Sequence, residues 1–127
     1  CATAGVLSND MWIRIFAPDG TPLETITEHG TTDMHDEAAD VAFVADGSIV
    51  VVGFIDYATE GFATGDCYVT RIAADGTHMW TDVYDGPAHE VDKALAVELT
   101  ADFSAIVTGY ETVPGQARDV WIRRYAI

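Results

Sequence analysis

The chain has 127 residues, 49% of them apolar, with 6 basic against 21 acidic side chains and a formal net charge of −15. That is enough for one domain with a modest core, and no apolar run approaches the roughly 18 residues that would suggest a membrane span. A surface this acidic repels nucleic-acid phosphates and anionic lipid, so neither is expected as a partner. Lys93 is the only lysine. Solubility is the plain meaning of the charge, and a cation-binding surface is the sharper one.

Residues 1–9 (CATAGVLSN) read as an N-terminal tail. Cys1 stands first with no initiator Met before it, which fits a processed or trimmed chain. A Cys in that place is also what a lipoprotein keeps after losing its signal peptide. Cys67 falls inside a strand, where a free thiol behaves as a small buried hydrophobe.

The first strand sets Met11, Ile13 and Ile15 on one side and Trp12, Arg14 and Phe16 on the other. Both sides are largely apolar, so both faces of its sheet are expected to be covered. Asp19-Gly20 predicts a hairpin, with positive φ at both central positions of a type I′ turn. Thr21 to Glu28 returns as a second strand, and His29 to Asp36 (HGTTDMHD) is a polar loop. Glu37 to Ala45 has a helix-compatible composition, yet Asp46-Gly47 follows at once and Ser48 to Ile55 is the other arm of a hairpin. The run Ile49 to Val52 predicts burial on both faces. Asp56 to Gly65 is a loop, and Asp75-Gly76 is the third turn of the Asp-Gly kind.

The chain repeats itself at an interval of about fifty residues. Asp66 to Gly76 (DCYVTRIAADG) copies Asp10 to Gly20 (DMWIRIFAPDG), and Asp119 to Ile127 (DVWIRRYAI) is a truncated third copy. Asp10 to Gly53 aligns with Asp66 to Gly109 without a gap. Gly30 falls on Gly86, Asp36 on Asp92, Ala38 on Ala94, Val41 on Val97, Asp46 on Asp102 and Ser48 on Ser104. The length difference is confined to one loop, where such changes are tolerated. Residues 10–127 therefore form a repeat region divided as 10–65, 66–118 and a partial 119–127.

One unit is four short strands joined by tight turns, the size of a β-propeller blade. The pattern D-x-W-I-R-R-Y-A…D-G…W-T, then D-x-A-x-x-V…D-G-S-I-V-V-x-G-[FY], resembles the bacterial β-propeller repeats of secreted and envelope proteins. It is carried by Asp119, Trp121, Ile122, Arg123 and Tyr125, by Trp80-Thr81, and by Asp46 to Gly53. The resemblance implies that the D-x-A-x-x-V strand lies innermost, followed by the G-S-I-V-V-x-G strand, the D-x-W strand and a W-T strand at the rim. The chain would then read as third and fourth strands, one whole blade, and the first three strands of another.

Catalytic patterns are lacking: there is no G-x-S-x-G, no H-E-x-x-H and no phosphate-binding glycine loop. Ser8, Ser48 and Ser104 are the only serines, and the last two hold equivalent turn positions. The loops before the inner strands gather oxygen and imidazole groups, Asp33, His35, Asp36 and Glu37 in one copy and His89, Glu90 and Asp92 in the other. Asp36 and Asp92 are repeat-equivalent, which predicts carboxylates that accept backbone N–H bonds and tie down the loop. Asp10, Asp66 and Asp119 are expected to do the same. Trp12, Tyr68 and Trp121 share one repeat position and are expected to pack between blades. Trp80 stands opposite Glu24 in the other copy, so it either fills the rim of one blade or stacks on a sugar ring.

The expected fold is all-β, built of four-stranded antiparallel β-propeller blades, about two per chain in an incomplete propeller. The expected function is a non-catalytic structural or binding module of a secreted or envelope-associated bacterial protein. It would be completed by other copies, or by a missing part of the polypeptide, through blade faces and strand edges. The second reading is a lectin-like carbohydrate binder assembled from two-blade chains. No catalytic residue, metal ligand set or cofactor is expected, and the ligand-binding residues stay open.

Overall fold

The computed structural model describes residues 9–32, 34–58 and 64–127. The described residues form nine strands: β1 (Met11–Phe16), β2 (Pro22–Glu28), β3 (His35–Phe43), β4 (Ile49–Ala58), β5 (Thr64–Ile72), β6 (His78–Tyr84), β7 (Lys93–Leu99), β8 (Ser104–Thr112) and β9 (Arg118–Ala126). Each pairs antiparallel with its neighbour in sequence, in three separate sheets. The first sheet is β1-β2, the second β3-β4-β5-β6 and the third β7-β8-β9. The sheets break between Glu28 and His35 and again between Tyr84 and Lys93, at the two polar loops read from the sequence.

The turns differ in type from the expectation. Gly20, Gly47 and Gly76 have φ of 86°, 88° and 84°, but the aspartates before them keep negative φ. Gly20 N–H donates to the Ala17 carbonyl at 2.9 Å, and Ala17 N–H donates to the Thr21 carbonyl at 2.8 Å. The central pair is thus Pro18-Asp19 in a type I turn, with glycine as the left-handed bulge residue that follows. The same bonds recur at Val44-Gly47 and Ala73-Gly76. Proline pre-sets φ at the first central position, and the Asp19 carboxylate accepts the Thr21 N–H at 2.9 Å, so aspartate stays right-handed. The fourth turn of this kind, Thr100 to Ser104, places Phe103 at the left-handed position, with φ of 59°.

Two bulges repeat as well. The β3–β4 register shifts between Ala38 and Asp40, and the β7–β8 register shifts between Ala94 and Ala96. Opposite them, a Cβ on Gly53 or Gly109 would lie 2.0 Å from the carbonyl oxygen of Glu37 or Lys93. Only glycine permits that approach.

Strand alternation divides the core between two inter-sheet layers. On β5, Cys67 and Val69 face the third sheet and pack with Ala94, Val97, Ala105, Val107 and Trp121. Tyr68 and Ile72 face the first sheet and pack with Met11, with Ile13, Ile15 and Ile26 alongside. On β4, Val50 and Val52 belong to one layer and Ile49, Val51 and Ile55 to the other. Burying each of these aliphatic side chains contributes about 1.5–3 kcal/mol. The middle strands β4 and β5 are thus apolar on both faces because they are covered on both. The first sheet departs from the expectation, since Trp12 and Phe16 on its other face are exposed. No sheet of the described residues lies over them.

Candidate functional site

The loop carboxylates form matched sets. Asp36 accepts the Gly30 N–H at 2.9 Å and the Asp56 N–H at 2.7 Å. Asp92 accepts the N–H groups of Gly86 and Thr112, the latter at 2.8 Å. The backbone follows suit, with Asp36 N–H donating to the Asn9 carbonyl and Asp92 N–H to the Gly65 carbonyl, each at 2.7 Å. Each aspartate therefore ties the loop before its strand to the end of the strand that pairs with it, which accounts for its repetition. Burial raises the pKa of both carboxyls against the pull of these bonds. Asp56 has φ of 56° and accepts from the backbone and hydroxyl of both Thr31 and Thr32. Burial opposes its ionisation, but those four bonds outweigh it and lower the pKa.

The other loop residues disperse. Asp33 lies outside the described residues. Glu37 and Glu90 are exposed, and His89 pairs with Asp85 at the surface, where that hydrogen bond raises the imidazole pKa. Nδ1 of His35 is buried without a hydrogen-bond partner among the described residues. Among the described residues no three His, Cys, Asp or Glu side chains converge as metal ligands. Asp10, Asp66 and Asp119 accept no hydrogen bond from the described residues, unlike Asp36 and Asp92. Asp66 has a raised pKa, from burial first and then from the charges of Asp85, Asp56 and Asp92.

Ser48 and Ser104 are clamps. Arg71 Nε donates to Ser48 Oγ at 3.0 Å and its Nη2 to Asp46 at 2.6 Å. Arg124 makes the same pair of bonds to Ser104, at 2.9 Å, and to Asp102. Each arginine reaches from the third strand of its sheet across to the turn joining the first two. Ser8 lies outside the described residues. One chain of groups looks catalytic at first sight: His78 Nε2 is 2.7 Å from Glu28, and His78 Nδ1 is 3.0 Å from Thr70 Oγ1. Thr70 is wholly buried and its hydroxyl also lies 3.0 Å from the Trp80 carbonyl, so no substrate reaches it. The chain ties β2 to β5 and β6. Cys67 is buried, and its thiol is pushed up to about 12 by desolvation. Cys1 lies outside the described residues.

The aromatics separate by environment. Trp80 stacks on Tyr125, with ring centroids 5.4 Å apart and planes 11° from parallel. Beside it the Arg123 guanidinium lies 3.5 Å from the Tyr84 ring centre. Trp80 therefore commits one ring face to the joint between the second and third sheets. Tyr68 and Trp121 retain 4% and 9% of their exposure, whereas Trp12, at the same repeat position, retains 58%. Val41 retains 46% against 7% for its equivalent Val97.

These exposed residues line two adjoining cavities along β1. One, of about 460 Å³, runs between Trp12–Phe16 and Ala38–Val41 with Phe43, floored by Ile49 and Val51. The other, of about 560 Å³, extends past Asn9 and Asp10 to His35, Phe54, Tyr57 and Lys93. The Lys93 ammonium sits 3.4 Å and 4.0 Å from the ring centres of Phe54 and Tyr57, and desolvation lowers its pKa. Nothing in the sequence pointed to this cage, because the repeat equivalent of Lys93 is Glu37. The edge of β1 away from β2 pairs with no strand among the described residues. Chemically, the trough offers a strand edge unpaired among the described residues, apolar walls, two cations (Arg14 and Lys93) and the carboxylates of Asp10, Asp36, Glu37 and Asp40. No family model and no curated protein matches the chain.

Proposed function

We propose that the chain is a non-catalytic β-propeller repeat module of about two blades, belonging to a secreted or envelope-associated bacterial protein. Its work is association: strand edges and sheet faces left open by one chain are covered by other copies or by further polypeptide. The observation that carries this reading is the exposure of Trp12 at a repeat position whose other two occupants are buried. An open strand edge beside an apolar wall is a site for strand addition. Light scattering at micromolar concentration, with an exposed-hydrophobe dye, tests it. The expected result is a particle larger than one chain, or a monomer that binds the dye. A well-folded monomer without dye binding would refute it.

The exposed Trp12 ring beside Asn9, Asp10 and Lys93 favours a second reading, a lectin-like site for carbohydrate. Binding of a glycan on an array, lost in Trp12→Ala, is the outcome that reading requires.

A further inference from the structure

Resting on the repeat-module reading, we infer that the trough along β1 is the seat of the β7–β8 hairpin of a second copy, with β1 taking the place that β9 holds on β8. The argument begins with residue identity. β1 and β9 carry the same three residues at their centres, Trp12-Ile13-Arg14 and Trp121-Ile122-Arg123, followed by Phe16 and Tyr125 at equivalent positions. β5 has Tyr68-Val69-Thr70 there, so β1 matches the strand of the third sheet better than that of the second. The register of β9 on β8 is Trp121 opposite Gly109, Ile122 opposite Thr108 and Arg123 opposite Val107. Transferred to β1, it sets Trp12 over Gly109, Ile13 beside Thr108 and Arg14 beside Val107. Arg14 then replaces Arg123 over Tyr84, and Phe16 replaces Tyr125 on Trp80.

The walls also agree. Ile106 lies on the face of β8 away from the buried Ala105 and Val107, and Leu95 is exposed on β7. In the exchanged sheet that face turns toward the exposed Val41 and Phe43 and the floor of Ile49 and Val51. β1 arrives joined to β2, so the third sheet gains a rim strand and becomes four-stranded like the second. The exchange gives up the Arg124–Ser104 and Tyr125–Asp82 hydrogen bonds, since Ile15 and Phe16 hold those positions. It also gives up the Arg124–Asp102 pair, whose side chains are both more than half exposed, so that pair contributes little.

Disulfide trapping between two chains tests the register. Ile13→Cys is placed in one chain and Thr108→Cys in the other, both with Cys1→Ser and Cys67→Ala, since Cys67 packs against Trp121 of the displaced strand. Under mild oxidation the linked heterodimer should be the main product. Ile13→Cys with Val107→Cys, one residue out of register and on the opposite face, should give none. Association without the 13–108 link, or equal linking of both pairs, would overturn the exchange while leaving the repeat-module reading in place. A dye-silent monomer would sink both. Should a cysteine variant fail to fold, hydrogen exchange on the unaltered chain answers the same question. Raising the concentration should slow exchange at 11–16 and speed it at 118–126, and unchanged rates in an associating sample would overturn the proposal.

Discussion

The two inter-sheet layers are built from the same repeat positions, and they differ in how much of each is finished. Between the second and third sheets, Val97 and Trp121 are buried, and Asp40 of β3 accepts the Val97 N–H at 2.9 Å, sealing β3 against β7. Between the first and second sheets, the outer half is packed around Met11, Tyr68 and Ile72, while the inner half is the open trough. Burial here is therefore a property of what lies opposite, and the residue itself does not decide it.

The sharpest way to break that comparison is to truncate the shared aromatic in both places. Trp121→Ala should cost about 3 kcal/mol, because it empties a packed layer. Trp12→Ala should cost the isolated chain less than about 0.5 kcal/mol, as surface substitutions do. Urea denaturation of both variants at low concentration measures the difference. Equal losses would mean that Trp12 is covered after all.

A second test compares the same turn in two sheets. Gly47 takes the left-handed position comfortably, while Phe103 is forced into it with φ of 59°. Phe103→Gly should stabilise by about 1 kcal/mol, the relief of strain exceeding the added freedom of the unfolded chain. An unchanged or lowered melting temperature would count against strain at that turn.

The smallest expected effect is electrostatic. The pKa of Asp66 is raised in the fold, chiefly by burial, so its charged form is disfavoured there relative to the unfolded chain. Stability is then reduced above the folded pKa, and the reduction fades as pH falls toward the ordinary value of 3.8. Asp66→Asn should raise the melting temperature slightly at neutral pH, and the gain should vanish in acid. The turn aspartates behave oppositely: bonds to Thr21 and Thr77 lower the pKa of Asp19 and Asp75, so their contribution is lost on acidification.

Much of the fold was legible because its signals are local. Alternation along 11–16, the Asp-Gly turns and the gapless repeat place the strands to within a few residues, and repetition identified Asp36 and Asp92 as structural. The turn type was not legible, since Asp-Gly serves both a type I′ turn and a type I turn with a following bulge. The left-handed backbone of Phe103 was legible in the repeat, because the gapless alignment sets Phe103 on Gly47. The Lys93 cage and the Thr70–His78–Glu28 chain join residues far apart in sequence. Exposure of Trp12 was missed for a related reason: its repeat position predicts a covering sheet, and none of the described residues supplies one.

Cys67 turns the closed layer into its own clock. The thiol is buried between the second and third sheets and held in its neutral form, so a thiol reagent can reach it only when those sheets part. Its rate of alkylation therefore reports how often the joint opens, without any label being added. The same measurement in the presence of a second copy separates an exchange that unzips β9 from an association that leaves the joint shut.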